Sequence, residues 1–223
     1  MSIQIMHPAS STQTSVLSSN AVIRNTYLLL SMTLLFSALT AGISLVLNLP
    51  HPGMLLTLAG YFGLLFATAR FRNSSLGLVF VFALTGFMGY TLGPILNSYL
   101  SLANGGQMVM TALGGTGMIF LALSGYALVS RKDFSFLGGF LMVGILVGFV
   151  AALASVFFQL PALSLAVSTM FVMLMSGLIL YQTSSIIHGG ETNYIMATAS
   201  LFLSIINLFQ ALLHLLGAFS GDD

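Results

Sequence analysis

From Asn25 to Gly217 the chain reads as apolar runs of membrane-spanning length separated by short polar breaks, and no Asp, Glu, Lys or Arg falls inside any run. A helix needs about 20 apolar residues to cross the hydrocarbon of a bilayer. Runs of that order lie at 25–49, 53–69, 75–99, 107–130, 135–158, 162–187 and 193–217. The breaks are Pro50-His51-Pro52-Gly53, Arg70-Phe71-Arg72-Asn73, Asn104-Gly105-Gly106, Arg131-Lys132-Asp133, Gln159-Leu160-Pro161 and His188-Gly189-Gly190-Glu191. Each is rich in charge, Pro or Gly, which interrupt apolar helices. The pattern predicts an all-α polytopic membrane protein built as a bundle of seven transmembrane helices. The second run is short and the fifth and sixth are parted only by a tight turn at Pro161, so six or eight crossings also fit.

Composition closes off the other classes. A soluble domain carries about 25% charged residues; this chain of 223 residues carries 4%, five Lys plus Arg and four Asp plus Glu, against 57% hydrophobic residues. Nine charges cannot cover a water-facing surface. Nucleic acid is excluded as a partner, because phosphate affinity needs clustered Lys and Arg and the net charge is only +1. With no Cys there is no disulfide, thiolate metal site or Cys nucleophile. With no Trp, any aromatic belt must come from Tyr and Phe.

The few charges orient the bundle. Lys and Arg in short loops stay cytoplasmic. Arg24 precedes the first run, Arg70 and Arg72 follow the second, and Arg131 and Lys132 follow the fourth. With seven crossings the N-terminus is cytoplasmic, as is the loop carrying His188 and Glu191, and the Asp222-Asp223 end is periplasmic. A cleaved signal peptide does not fit, since the first run is too long and begins only after Arg24. The domain reading is therefore a flexible cytoplasmic tail over 1–23, a membrane domain over 24–218 and a short outer tail over 219–223. The Ser/Thr-rich tail serves either as a spacer or as a handle for a cytoplasmic partner.

Small residues show where helices touch, because close backbone approach is what associates helices in lipid. Gly144, Gly148 and Ala152 form one such ridge in the fifth run; Gly86, Gly89, Gly93 and Asn97 form another in the third. Gly93-Pro94 predicts a kink. The seventh run carries a more specific pattern: Asn193, Ala197, Ser200, Ser204, Asn207, Ala211 and His214 follow a 4-3-4-3-4-3 spacing that keeps them on one helix face. All are small or polar. That face must turn toward other helices or toward a wet cleft, since polar groups inside a membrane need partners. Tight packing with interhelical hydrogen bonds is favoured over a permeation path. Asn207 is the costliest of these residues to bury, and His214 lies toward the outer end, where a histidine that changes charge near neutral pH is cheap to hold.

Catalytic chemistry is disfavoured. Ser124-Gly125 with His188 or His214 superficially suggests a Ser–His pair, which requires hydrogen-bond contact between nucleophile and base. Ala122 stands where a rhomboid-like GxSG would carry Gly. No Lys inside a run can form a Schiff base with retinal. No two His stand at i, i+4, and no carboxylate lies inside a run to complete a zinc site. No metal or cofactor is implied.

With the seventh run read, Gly189-Gly190-Glu191-Thr192-Asn193-Tyr194-Ile195, then Ala197, Ser200-Leu201-Phe202 and Ile205-Ile206-Asn207-Leu208-Phe209, resembles the C-terminal signature of the Bax inhibitor-1 family. The stretches Thr85–Leu100, Arg131–Gly139 and Ile186–Ile195 are similar to one bacterial inner-membrane branch of it. The resemblance runs from about Arg24 to Gly217 and implies seven helices with the last one central, enclosed by the other six. It also implies a regulatory partner, a membrane-anchored AAA protease of the FtsH type together with its associated regulators, and hence a role in quality control of membrane proteins. Elsewhere the family is associated with a pH-sensitive calcium leak through two acidic residues. Those positions fall here on Gln182 and Ser204, neither of which is acidic. An amide and a hydroxyl cannot share a proton or titrate as a carboxylate pair does, so the leak site does not carry over and a calcium or proton leak is the secondary reading.

Overall fold

A computed structural model describes residues 9–220, with side chains from 20 to 219, and within them the chain forms seven α-helices. They are α1 (Ala9–Val46), α2 (Met54–Arg70), α3 (Ser75–Leu100), α4 (Gly105–Ser130), α5 (Leu137–Phe157), α6 (Pro161–Ile187) and α7 (Tyr194–Ser220). Six contain stretches long and apolar enough to cross a membrane, Asn20–Val46 being that of α1; α2, at 17 residues, is shorter. The boundaries fall within a few residues of the apolar runs except at the start of α1. Helical backbone begins there at Ala9, inside the segment read as a tail, because neither Pro nor Gly interrupts the chain between Ala9 and Ala41. Residues 1–8 and 221–223, the outer parts of the two expected tails, lie outside the described residues.

The helix ends follow from local chemistry. Asn48, Arg131, Gln159 and Gly189 adopt positive φ just past the ends of α1, α4, α5 and α6. That conformation lets the following amides turn back onto the last carbonyls, as Leu49 N–H does to Ser44, Leu160 N–H to Ser155 and Gly190 N–H to Ser185. Pro161 opens α6, where its missing donor costs nothing.

α1 and α3 run parallel in close contact. A methyl at Gly86 would strike the Phe36 ring, one at Gly89 the Thr40 hydroxyl and the Ser37 carbonyl, and one at Gly93 the Ser44 side chain; Asn97 Nδ2 then donates to Asn48 Oδ1 at 3.1 Å. The second ridge joins α5 to α6, with Gly144 against Leu174 and Gly148 against Met170 and Phe171. α3 continues through Pro94 as one helix. Pro94 cannot donate to the carbonyl four residues back, and the Ser44 hydroxyl of α1 donates to that Tyr90 carbonyl at 2.9 Å instead.

α1 packs on α3, α3 on α4, α4 on α6 and α6 on α1, while α2 lies on α3 and α5 on α6. α7 meets α1, α2, α3, α4 and α6; α5 touches only α6, so the last helix is not in contact with all six others. The core gathers Leu30, Val81, Leu84, Ile179, Leu201, Phe202, Leu208 and Leu213. Outward, Leu35, Phe66, Val129, Phe140 and Val150 are exposed. Apolar exposure spread over this many helices is what a bilayer, not water, accepts.

Candidate functional site

The charged end of the bundle is organised by the loop between α6 and α7. Asn193 caps α7: its Oδ1 accepts from the amides of Ile195 and Met196, both at 3.0 Å, which satisfies two of the donors a helix start leaves unpaired. Its Nδ2 donates to the Arg72 carbonyl and to Asn73 Oδ1, each at 2.9 Å, tying the α2–α3 turn to the start of α7. Glu191 accepts from the Asn193 amide at 2.7 Å, placing the carboxylate beside a helix start where negative charge is favoured.

On the other side of this loop, Ser184 and His188 of α6 hold the α4–α5 loop. The Ser184 hydroxyl donates to the Lys132 carbonyl at 3.1 Å and accepts the Phe134 amide at 2.9 Å. The His188 ring approaches the Arg131 carbonyl at 3.1 Å. Asp133 accepts the Ser135 amide at 2.9 Å; that bond and the Ser135 hydroxyl hold its carboxyl below the usual carboxylate range, with a smaller contribution from His188. The Thr198 hydroxyl, near the start of α7, donates to the Tyr194 carbonyl at 2.7 Å and lies 3.3 Å from the Thr26 carbonyl of α1, which brings Arg24 to the same end. All five basic residues therefore share one end with His188, Glu191 and Asn193.

One turn deeper, Tyr27 of α1, Ser124 of α4 and Thr183 of α6 form a triangle of hydroxyls: Tyr27 donates to Ser124 at 3.0 Å, and Thr183 lies 3.3 Å from Tyr27 and 3.1 Å from Ser124. The hydroxyl weighed as a nucleophile is thus engaged by hydroxyls and not by a histidine. Beside this triangle, Ser204 of α7 donates to Gln182 Oε1 of α6 at 3.1 Å. The two positions that resemblance assigns to an acidic pair therefore face each other and form a neutral hydrogen bond.

The rest of the α7 stripe has humbler partners. Asn207 Nδ2 donates to Leu203 O of its own helix at 2.8 Å. The Ser200 carbonyl lies 3.1 Å from the Ser204 hydroxyl oxygen and competes with Gln182 for its single proton. His214, toward the far end, lies 2.8 Å from Ser168 and 3.4 Å from Ser164 of α6. Ser200, Asn207 and His214 are only half-buried, whereas Leu201, Phe202 and Leu208 on other faces of α7 are fully buried. The apolar side of α7 is withdrawn from lipid as well, since five helices surround it. Among the described residues, no three His, Asp or Glu side chains converge as a metal site requires.

Ser184, Tyr27 and Thr183 were not singled out by sequence reasoning. Ser184 had one available signal, its i, i+4 spacing to His188; the triangle had none, because its members come from three helices.

A family model described as inhibitor of apoptosis-promoting Bax1 matches residues 19–221. The chain belongs to the Bax inhibitor-1 family. A relative from Escherichia coli (strain K12), named modulator of FtsH protease YccA, is 55% identical over 210 residues, covering 94% of this chain and 95% of its own. A protein of Escherichia coli O6:H1 matched to the same extent is named inner membrane protein YccA. An uncharacterized protein of Pseudomonas aeruginosa is 55% identical over 204 residues and 92% of each chain. Within this Bax inhibitor-1 member, then, the Gln182–Ser204 contact and the rim built on Asn193 and Ser184 sit in a helical membrane protein.

Proposed function

We propose that this chain is a non-enzymatic membrane regulator that binds a membrane-anchored AAA protease of the FtsH type and modulates its handling of membrane proteins. The observation that carries the reading is the 55% identity, across nearly the whole of both chains, to a relative named for modulating that protease. The proposed location is the bacterial inner membrane, with all seven helices crossing, α7 central, the N-terminus cytoplasmic and the C-terminus periplasmic. Three features support this topology. The basic residues gather at one end, as the positive-inside rule requires. α2 starts beside Pro50, whose carbonyl accepts the Tyr90 hydroxyl, and ends at Arg70 in the rim. α7 has neighbours on most of its circumference.

In this reading the rim of His188, Glu191 and Asn193, with the N-terminal segment, faces the protease, because an ATP-driven enzyme on the cytoplasmic side would meet both together. Ser200, Ser204, Asn207 and His214, with Gln182, hold the bundle together. Ser124 supports the absence of catalysis, since its hydroxyl is committed to Tyr27 and Thr183. A leak gains nothing from Gln182–Ser204, which has no proton to lose near neutral pH. The test is detergent co-purification with the protease from native membranes, alongside turnover of a membrane substrate with and without this chain. Co-purification with altered turnover is expected; failure of both would sink the proposal.

A further inference from the structure

His188 stands at the end of α6, and its ring spans to the end of α4. Nδ1 lies 2.9 Å from the Ser184 carbonyl and Nε2 lies 3.1 Å from the Arg131 carbonyl. A carbonyl oxygen can only accept, so each ring nitrogen must carry a hydrogen to make its bond. The remaining group near Nδ1 is the Ser184 hydroxyl at 3.4 Å. It has no hydrogen to offer an unprotonated Nδ1, because its single proton goes to the Lys132 carbonyl while its oxygen takes the Phe134 amide. A neutral imidazole has one N–H. The two bonds therefore coexist only on the imidazolium.

The surroundings suit a cation. Both carbonyls belong to helix C-terminal ends, where the aligned backbone presents partial negative charge; Arg131 closes α4 and His188 closes α6. Asp133 faces the ring from the α4–α5 loop. The opposing charges are the exposed side chains of Arg131 and Lys132 on the same loop. Glu191 is engaged by the Asn193 amide, and Arg72, from the α2–α3 turn, joins this loop through its backbone carbonyl.

We propose that His188 is a proton-operated clasp that, as imidazolium, fastens the end of α4 to the end of α6 and, on deprotonation, lets go of one of the two carbonyls. The unprotonated nitrogen then points its lone pair at a carbonyl lone pair about 3 Å away, and the ring turns out of that contact. Ser184 keeps Lys132 and Phe134, so the loosening is confined to the junction at Arg131. The clasp is closed while both ring nitrogens carry a hydrogen and opens when one of them is lost. It depends on no assumption about a protein partner.

The test uses the full chain in lipid nanodiscs. Nitrogen NMR with labelled histidine follows the four His rings from pH 5 to 8.5, His188 being assigned as the signal lost in His188→Gln. Hydrogen exchange at the Arg131 and Lys132 amides is measured over the same range. It is divided by exchange at Leu102 and Ala103, in the α3–α4 turn at the opposite end, which removes the intrinsic pH dependence. Both His188 nitrogens should be protonated at low pH, and the exchange ratio should rise several-fold through the ring's own transition, while H188Q stays flat. A single neutral tautomer throughout, or a ratio that does not follow the ring, would overturn the clasp. Should H188Q fail to accumulate, the His188 signal is assigned by variants of the other three histidines, and the wild-type ratio decides alone.

Discussion

Ser44 shows what one hydroxyl does inside this bundle. Pro94 frees the Tyr90 carbonyl, and an unpaired carbonyl in an apolar setting costs about 1–3 kcal/mol. Ser44 takes that carbonyl from the neighbouring helix. Ser44→Ala should therefore lower unfolding stability in detergent by about 1–3 kcal/mol. In a Pro94→Ala background, where residue 94 regains its own N–H, the same substitution should cost clearly less. A double-mutant cycle that shows simple additivity would refute the exchange of donors. The Gly93-Pro94 step was legible in the sequence as a disturbance of the third run, but the hydroxyl that repairs it was not, because that depends on the register of α1 against α3. Asn193 illustrates a related gap. Its spacing placed it at the head of a stripe, yet it works as a cap and as a link to the α2–α3 turn. Asn193→Ala should cost about 1–2 kcal/mol or more. Asn193→Asp, which keeps the capping oxygen and loses both Nδ2 donations, should recover part of that loss in the same thermal unfolding measurement.

Between elements, the glycines separate by what lies opposite them. Nothing lies within 4 Å of a methyl at Gly42, a Leu174 methyl lies 2.5 Å from one at Gly144, and the Ser37 backbone blocks one at Gly89. Gly42→Ala should be neutral or stabilising by up to about 1 kcal/mol through helix propensity. Gly144→Ala should cost little, since a Leu side chain can swing away. Gly89→Ala should cost about 1–3 kcal/mol, because α1 must move as a body. A different order of melting temperatures would show that α1 and α3 do not meet as described. These ridges were legible from spacing alone, but their partners were not. The α7 stripe was legible in a narrower sense. Small and polar residues at helical spacing avoid lipid, yet Leu201, Phe202 and Leu208 are withdrawn from it too. A leucine that packs on protein and one that packs on lipid look the same in a sequence, since the two environments are equally apolar.

For the molecule as a whole, nine charges and seven apolar runs outlined an all-helical membrane bundle and its charged end, while leaving the number of crossings open. The start of α1 was not legible, because a Ser/Thr-rich segment without Pro or Gly satisfies a tail and a helix equally. The crossing number turns on α2, which at 17 residues is short for a span of about 20. If α2 crosses, His51 and Ser74 lie on opposite faces of the membrane; if it does not, they share one. The chain has no Cys, so single cysteines can be introduced without background. His51→Cys and Ala103→Cys should react with a membrane-impermeant maleimide from the periplasmic side. Ser74→Cys and Ser135→Cys should react only after the inner membrane is permeabilised. Labelling at Ser74 from outside would remove α2 from the crossings and reverse the orientation of everything after it, and with that the shared cytoplasmic face on which the proposed encounter with a protease depends.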